Sequence, residues 1–302
     1  MKFKTALVAT GTALSIAISG CASARDAAPE AAATVAATTG PALWKVADED
    51  TTVYLFGTVH VLPAGVDWYD SRIESAFTSS DILVTEVDMT DQAAMAAAIA
   101  QNAMLGGGRT LRSLMSDENR SEYETVLTDL GLPPAALDQF EPWFAALNLG
   151  VLPLLQAGYD PNAGVEMALE SRAGDKQRGA LETIDEQIEL FDGMTMDYQL
   201  EYLDATVEGA EGTVSMIDEM VTEWLEGDAD RLAELMNGEI DDSYLHNRLL
   251  IDRNANWVGW IEQRLDRPGT AFIAVGAGHL AGSGSVQDQL EDRGHVVTRI
   301  LE

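Results

Sequence analysis

Four histidines lie in the 302-residue chain: His60, His246, His279 and His295. Two of them share a local frame. Gly57-Thr58-Val59-His60 follows the apolar run 53–56, and Gly276-Ala277-Gly278-His279 follows the apolar run 271–275. A buried strand fixes the backbone, and glycine permits a sharp exit or a close approach. The histidine three residues on is then presented at a strand end, where α/β sheets bind their ligands. A third apolar run, 82–87, carries Glu86, a carboxylate that is costly to bury unless paired or metal-bound. Two imidazoles and a carboxylate suit a divalent transition metal, which makes His60, His279 and Glu86 candidate ligands. A single glycine-x-x-histidine would be weak evidence, and Glu86 alone could be an ion pair at a sheet edge. The repeated strand-end frame is what raises all three together. His246 and His295 read as surface or structural, His295 in a turn before the last strand.

Other chemistry is limited. No Gly-x-Ser-x-Gly nucleophile elbow occurs. Gly106-Gly107-Gly108 lacks the strand, lysine and hydroxyl of a phosphate loop and reads as a linker. Met194, Met196, Met216 and Met220 read as core filler. With no serine or cysteine nucleophile in view, metal-activated water is the expected reagent. In the helix expected over 240–265, Leu250, Asn254, Trp257, Ile261 and Leu265 fall on one face. Asn254 interrupts that stripe, with Arg253 beside it. Either the pair reaches the site, orienting a carboxylate or an oxyanion, or Asn254 satisfies a buried carbonyl and Arg253 makes a surface ion pair. The residues alone leave both readings open.

The elements that must position these groups alternate at both ends of the chain. Strands are expected at 43–46 and 52–56, joined by the acidic turn Asp48-Glu49-Asp50, and at 82–87. Helices follow at 70–79, 91–104, 117–130, 134–140, 142–157, 163–173, 185–191, 197–225 and 240–265, with a short strand at 179–181. The end alternates again, with strands at 270–275 and 296–301 around a helix at 287–293. The fold class is therefore α/β, a mixed central sheet from N- and C-terminal strands with a long helical insertion over about 91–265.

Residues 1–20 start with Lys2 and Lys4 and continue in an apolar run that ends in Ile18-Ser19-Gly20-Cys21. That tetrapeptide resembles the bacterial lipobox, which makes 1–20 a lipoprotein signal peptide and Cys21 the lipidation site. Ala22 after the cysteine, in place of aspartate, favours the outer membrane facing the periplasm. The Ala/Thr/Pro-rich stretch 21–42 reads as a flexible tether, and 43–302 as the folded domain. Lys plus Arg number 18 and Asp plus Glu 50, a formal net charge of −32. That balance excludes a phosphate-backbone binder, so no nucleic-acid partner is expected. The single cysteine excludes a disulfide framework and a multi-cysteine zinc site.

The blocks Leu55-Phe56-Gly57-Thr58-Val59-His60 and Thr85-Glu86-Val87-Asp88 resemble the start of the TraB/GumN family. Gly164-Val165-Glu166, then Ala180-Leu181-Glu182-Thr183 and Gln187, resemble its central motif. Arg253-Asn254, Trp257 and the run 275–282 resemble its closing block. The resemblance covers roughly 43–302 in the right order. It implies a divalent-metal-dependent hydrolase, of the peptidase class, using manganese, cobalt or a similar ion; zinc is a further candidate. Carried over residue by residue, His60 and His279 would be ligands, with Glu86 and Glu182 as acidic partners. Glu166 stands where the family more commonly has aspartate. The resemblance also turns the open reading of Arg253 and Asn254 towards the site. The expected partners are the membrane, through the lipid, and a peptide or protein substrate. The rival reading is a lipoprotein that binds haem or metal without catalysis, for which Tyr54 and Tyr69 are the nearest aromatic candidates, although both look like core. A pure scaffold is a third.

Overall fold

The computed structural model describes residues 40–237 and 243–301. Strands β1 (Leu43–Ala47) and β2 (Thr51–Thr58) form an antiparallel hairpin. Asp48 closes its turn by accepting from the backbone of Asp50 and Thr51 at 3.1 and 2.8 Å. The two-residue β3 (Leu62–Pro63) precedes α1 (Ser71–Ser79), whose first turn is capped by the Asp70 carboxylate. Strand β4 (Ile82–Thr85) follows, then α2 (Gln92–Asn102), α3 (Asp117–Asp129) and α4 (Pro142–Gln156), β5 (Tyr159–Asp160), α5 (Val165–Arg172) and β6 (Gln177–Ala180). Next come α6 (Ile184–Asp192), α7 (Met196–Gly209), α8 (Thr213–Glu226), α9 (Ala229–Asn237), α10 (Ser243–His246) and α11 (Asp252–Leu265). The chain returns to the sheet with β7 (Gly269–Gly276), α12 (Val286–Asp292) and β8 (Val297–Arg299).

The central sheet has six strands in the order β6-β4-β7-β2-β1-β8. Four neighbours, β6, β4, β7 and β2, run parallel. β1 and β8 complete the sheet as antiparallel strands. The sheet is mixed, as the sequence pattern implied. All four parallel strands therefore end on one edge, with Thr58 opposite Gly276 and Thr85 opposite both Ala274 and Ala180.

Both faces of the sheet are covered. On one, Phe56, Leu83 and Phe272 pack against Ile73 and Phe77 of α1, Val165 of α5 and Trp224 of α8. On the other, Leu55, Val84, Ile273 and Val275 pack against Trp257 and Ile261 of α11 and Leu290 of α12. Double burial is why these strands read as nearly continuous apolar runs. A third core, around Tyr123, Trp143, Phe191 and Leu203, holds α2, α3, α4, α6 and α7 together as a helical lobe.

The structure departs from the sequence reading in several places. Residues 134–140 form successive four-residue turns (Ala136 to Pro133, Asp138 to Ala135, Phe140 to Leu137), not a helix. Pro133 and Pro134 start them, and Phe140 pairs with Met104 across a single bridge. The stretch 197–225 breaks at Gly209 and Gly212 into α7 and α8. The stretch 240–265 is α10, a π-turn over Asn247–Ile251, and α11, with its first residues outside the described ones. Helix α9 and the small β3–β5 sheet had no clear sequence signal. The helical insertion also gives the sheet its edge strand, β6. Glu86 lies one residue beyond β4, not within it. Residues 1–20 and Cys21, with the tether up to residue 39, lie outside the described residues.

Candidate functional site

Every polar side chain of the site hangs from the carboxyl edge of the parallel strands or from a helix laid across it. His60 stands two residues past β2, Glu86 one past β4, Glu182 two past β6 and His279 three past β7. Gly164 lets the start of α5 pack directly onto this edge, since a β-carbon there would overlap the His60 carbonyl. The Val165 amide donates to the Val59 carbonyl at 3.1 Å. That docking brings Glu166, in the first turn of α5, to His60: Nδ1 and Oε1 are 2.6 Å apart. The Thr58 hydroxyl donates to the same oxygen at 2.5 Å.

From the opposite face α11 delivers Arg253, 3% exposed, into the middle of the edge. Its Nη2 donates to Glu86 Oε2 at 2.6 Å and to Glu182 Oε2 at 2.9 Å. Its Nε donates to Glu182 Oε1 at 2.8 Å. Its Nη1 donates to the Leu249 carbonyl of the π-turn at 3.2 Å and meets His279 Nε2 at 3.0 Å. A guanidinium has five N–H donors and no acceptor, so all five are occupied. Gln187 bridges the two glutamates, 3.0 Å from Glu86 and 3.3 Å from Glu182. Trp257 Nε1 adds a donor to Glu182 at 2.9 Å, and the Gly276 amide donates to Glu86 Oε1 at 2.8 Å.

The tautomer of His279 follows from its partners. Asn254 Nδ2 donates to the Gly284 carbonyl at 2.9 Å, so Asn254 Oδ1 accepts from His279 Nδ1 at 2.6 Å. Nε2 then carries the lone pair that accepts from Arg253. His279 is neutral: burial, and then the Arg253 charge, hold its pKa well below the ordinary histidine value.

His60 behaves oppositely. Burial alone would lower its pKa, but Glu166, with a further contribution from Glu86, outweighs burial and lifts it from 6.5 to about 9. Glu86 would be raised by burial, yet Arg253 beside it holds it at about 2. Glu166 is likewise lowered by His60 against the opposing effect of burial. Three carboxylates thus face one guanidinium, and the remaining positive charge resides on His60.

Gly276 keeps the centre open. A β-carbon there would lie 3.2 Å from Glu86 Oε1, 3.7 Å from His279 Cδ2 and 3.7 Å from His60 Nε2. Beside His60 the edge opens into a cavity of about 50 Å³, walled by side chains that include Leu154, Ile217, Met220 and Met236.

The structure therefore brings together His60, Glu86, Glu182, Arg253, Asn254 and His279. It does not arrange His60, His279 and Glu86 as a ligand set. Among the described residues no three His, Cys, Asp or Glu side chains form a group able to hold a metal ion. The donor types suit a divalent ion, but Arg253 takes the lone pair of His279 and one oxygen of Glu86. His279 Nε2 and Glu86 Oε1 stand 4.0 Å apart. Arg253 has no donor left for an oxyanion, so of the two roles open to it only the orientation of carboxylates matches its contacts. Sequence reasoning gave no role to Thr58, Gly164 or Gln187 and left that of Glu166 undecided. An acidic residue in a helical first turn just after a glycine was the available signal for Glu166; Gln187 was marked only by its place in the family-like central block. His295 lies away at 3.3 Å from Glu262, and His246 is half-buried on α10. Tyr54 and Tyr69 pack against the core.

A raised folded-state pKa stabilises the fold fully below the unfolded value near 6.5 and ceases to do so as pH rises through the folded value near 9. Denaturation at about pH 6 and about pH 10 is expected to show a loss on the order of 2–3 kcal/mol from this pair. Glu166→Gln should remove most of that difference; an undiminished pH dependence in the variant would refute the pairing.

The family model "TraB/PrgY/gumN family" matches residues 42–299. An uncharacterized protein of Treponema pallidum is 23% identical over 83% of this chain and 80% of its own. The uncharacterized protein YbaP of Escherichia coli is 22% identical over 78% of this chain and 87% of its own. The human metalloprotease TIKI1 is 23% identical over 84% of this chain and 61% of its own. No solved structure matches. Because the family model spans nearly all of the described residues, the site's histidines and arginine included, the chain belongs to the TraB/PrgY/gumN family.

Proposed function

We propose that the chain is a hydrolase of the peptidase class, with His60 as its proton donor. The observation that carries this reading is the His60–Glu166 pair, set at the end of β2 beside an apolar cavity. Nδ1 faces Glu166, which leaves Nε2 toward the open centre above Gly276. A charged imidazole there can polarise a substrate carbonyl and then give its proton to the leaving amine. Glu86 Oε1, which accepts from the Gly276 amide, is the carboxylate oxygen placed to accept a proton from attacking water. Its low pKa makes it a weak base, so His60 carries the larger share. Arg253 and Asn254 are positioning residues that fix Glu86, Glu182 and His279. The name of the human relative, a metalloprotease, supports peptide cleavage as the reaction. A peptide library incubated with the protein should be cleaved, with kcat/KM falling as pH rises through about 9. His60→Ala should lower kcat/KM by about 10²–10⁴ with an unchanged circular-dichroism spectrum. A rate that rises through that pH, or a variant that keeps its rate, would refute the assignment.

A divalent ion is the second reading, favoured by the same human relative and by the field at His60. Three carboxylates set against one guanidinium attract positive charge to Nε2, whether a proton or a metal ion. Such an ion, when bound, would supply an activated water. In this reading His60, His279 and Glu86 would hold it, and Arg253 Nη1 would first have to leave His279. Calorimetric titration of stripped protein with manganese, cobalt and zinc decides it. One ion per chain, lost in a His60→Ala, His279→Ala double variant, supports this reading; no heat, or heat unchanged by the variant, rejects it.

We further read Cys21 as the lipid attachment that would hold the domain at the envelope membrane, outer-membrane side. Several acyl chains would anchor it firmly without a spanning helix. No helix among the described residues is long and apolar enough to cross a membrane. Mass spectrometry of the mature N-terminus should find acylated Cys21, and Cys21→Ser should move the protein to the soluble fraction. A membrane-bound variant would overturn the anchor.

A further inference from the structure

The cavity beside His60 has a composition unlike the rest of the site. Six apolar side chains from three helices wall it: Leu154 of α4, Ile217, Met220 and Val221 of α8, and Leu232 and Met236 of α9. All six are buried. The rest of its lining is the end of β2 and the residues after it, Thr58, Val59, His60 and Val61, with Ala277 and Gly278 after β7; Thr58 and His60 are its polar residues. Among the described residues no carboxylate or guanidinium borders it, although the chain carries 50 acidic residues. Pockets that are mainly apolar with a few placed polar groups are the usual ligand sites of proteins.

Resting on the hydrolase reading above, we propose that this cavity is the specificity pocket of the site, and that it takes a short aliphatic side chain of the substrate residue flanking the scissile peptide bond. Contiguity supplies the first argument. The cavity shares His60 with the reactive centre, and Ala277 and Gly278 lead directly into His279. A side chain seated there holds the neighbouring peptide carbonyl at His60. Size supplies the second. The cavity measures about 50 Å³, a third of the ~150 Å³ that accommodates a benzene ring. It therefore admits a side chain the size of alanine or valine and rejects phenylalanine. Charge supplies the third. A carboxylate entering it would lose its hydration among six apolar groups and gain no fixed cation other than His60, which Glu166 already pairs. Two methionines in the wall let it adjust to small differences in shape.

Met220 and Met236 also report on occupancy. In the full chain labelled with ¹³C-methyl methionine, N-acetyl-valine methylamide is expected to shift those two methyl resonances, assigned through Met220→Leu and Met236→Leu. The phenylalanine and aspartate analogues should leave them in place. In peptides, valine at the flanking position should exceed glycine and aspartate by at least ~10-fold in kcat/KM. Met220→Ala should extend acceptance to leucine and larger side chains. Unmoved methyls with the valine probe, equal shifts with the aspartate probe, or cleavage indifferent to the flanking residue would each overturn the pocket. Methyl shifts specific for the valine probe with no cleavage of any peptide would uphold the aliphatic site and defeat the hydrolase reading instead.

Discussion

The site depends on one buried guanidinium. Arg253 spends all five of its donors, on two glutamates, one histidine and one carbonyl. Burying Glu86 and Glu182 beside each other without it would leave two like charges in a low-dielectric space. Removing one partner of such a cluster typically costs about 3–5 kcal/mol, because the remaining charge stays buried and unpaired. Such a cluster is weak evidence for stability in itself, since desolvation offsets much of the attraction. Its value lies in position: the guanidinium is planar and forked, so it fixes the angles of the carboxylates as well as their charge.

Few routes would deliver an arginine to that place. The glutamates come from the ends of β4 and β6, and His279 from beyond β7, all on one sheet edge. Only an element lying across that edge can touch all three. α11 does so, and the π-turn before it exposes the Leu249 carbonyl that takes one of the Nη1 donors. Single π-turns concentrate at functional sites, and here the turn has an identifiable task. Trp257, one turn further along α11, lies under the Arg253 guanidinium at 4.8 Å and meets the His279 ring at 4.2 Å and a tilt of 43°. The helix therefore acts as a rigid template: its buried stripe packs on the sheet while two of its polar residues organise the edge.

Legibility in the sequence followed the range of the forces involved. The strands showed because their apolar periodicity is local, and the glycine-x-x-histidine frame showed because it sits directly after them. Asn254 stood out as a polar interruption of an apolar stripe, and is 1% exposed. By periodicity and charge Gln187 could not stand out: it lies on α6 among acidic neighbours, and only tertiary packing turns it toward both Glu182, five residues before it, and Glu86, from the end of β4. The turns over 134–140 were hidden for the same reason. A proline followed by small and apolar residues suits a helix start, but the tie from Leu105 to Gln139 holds the segment in turns. That Arg253 occupies the Nε2 lone pair of His279 was invisible for a different reason. Residue types name donors, but geometry decides which lone pairs remain free.

The two histidines show how far identical local frames can diverge. Each follows a strand, a glycine and two further residues, and each is buried or nearly so. Yet His279 faces a fixed cation and an amide oxygen, which select the neutral ring with its Nε2 lone pair occupied. His60 faces a carboxylate, which selects the charged ring and leaves Nε2 toward the centre. The difference originates in the helix that reaches each strand end: α11 brings an arginine, α5 a glutamate. A site with one neutral and one charged imidazole, separated by a glycine that keeps the gap clear, has an intrinsic direction. Its acceptors are locked into the frame on the α11 side, and its mobile proton lies on the side that opens to the apolar cavity. The other side is filled by Trp257 and the Arg253 guanidinium that lies over its ring.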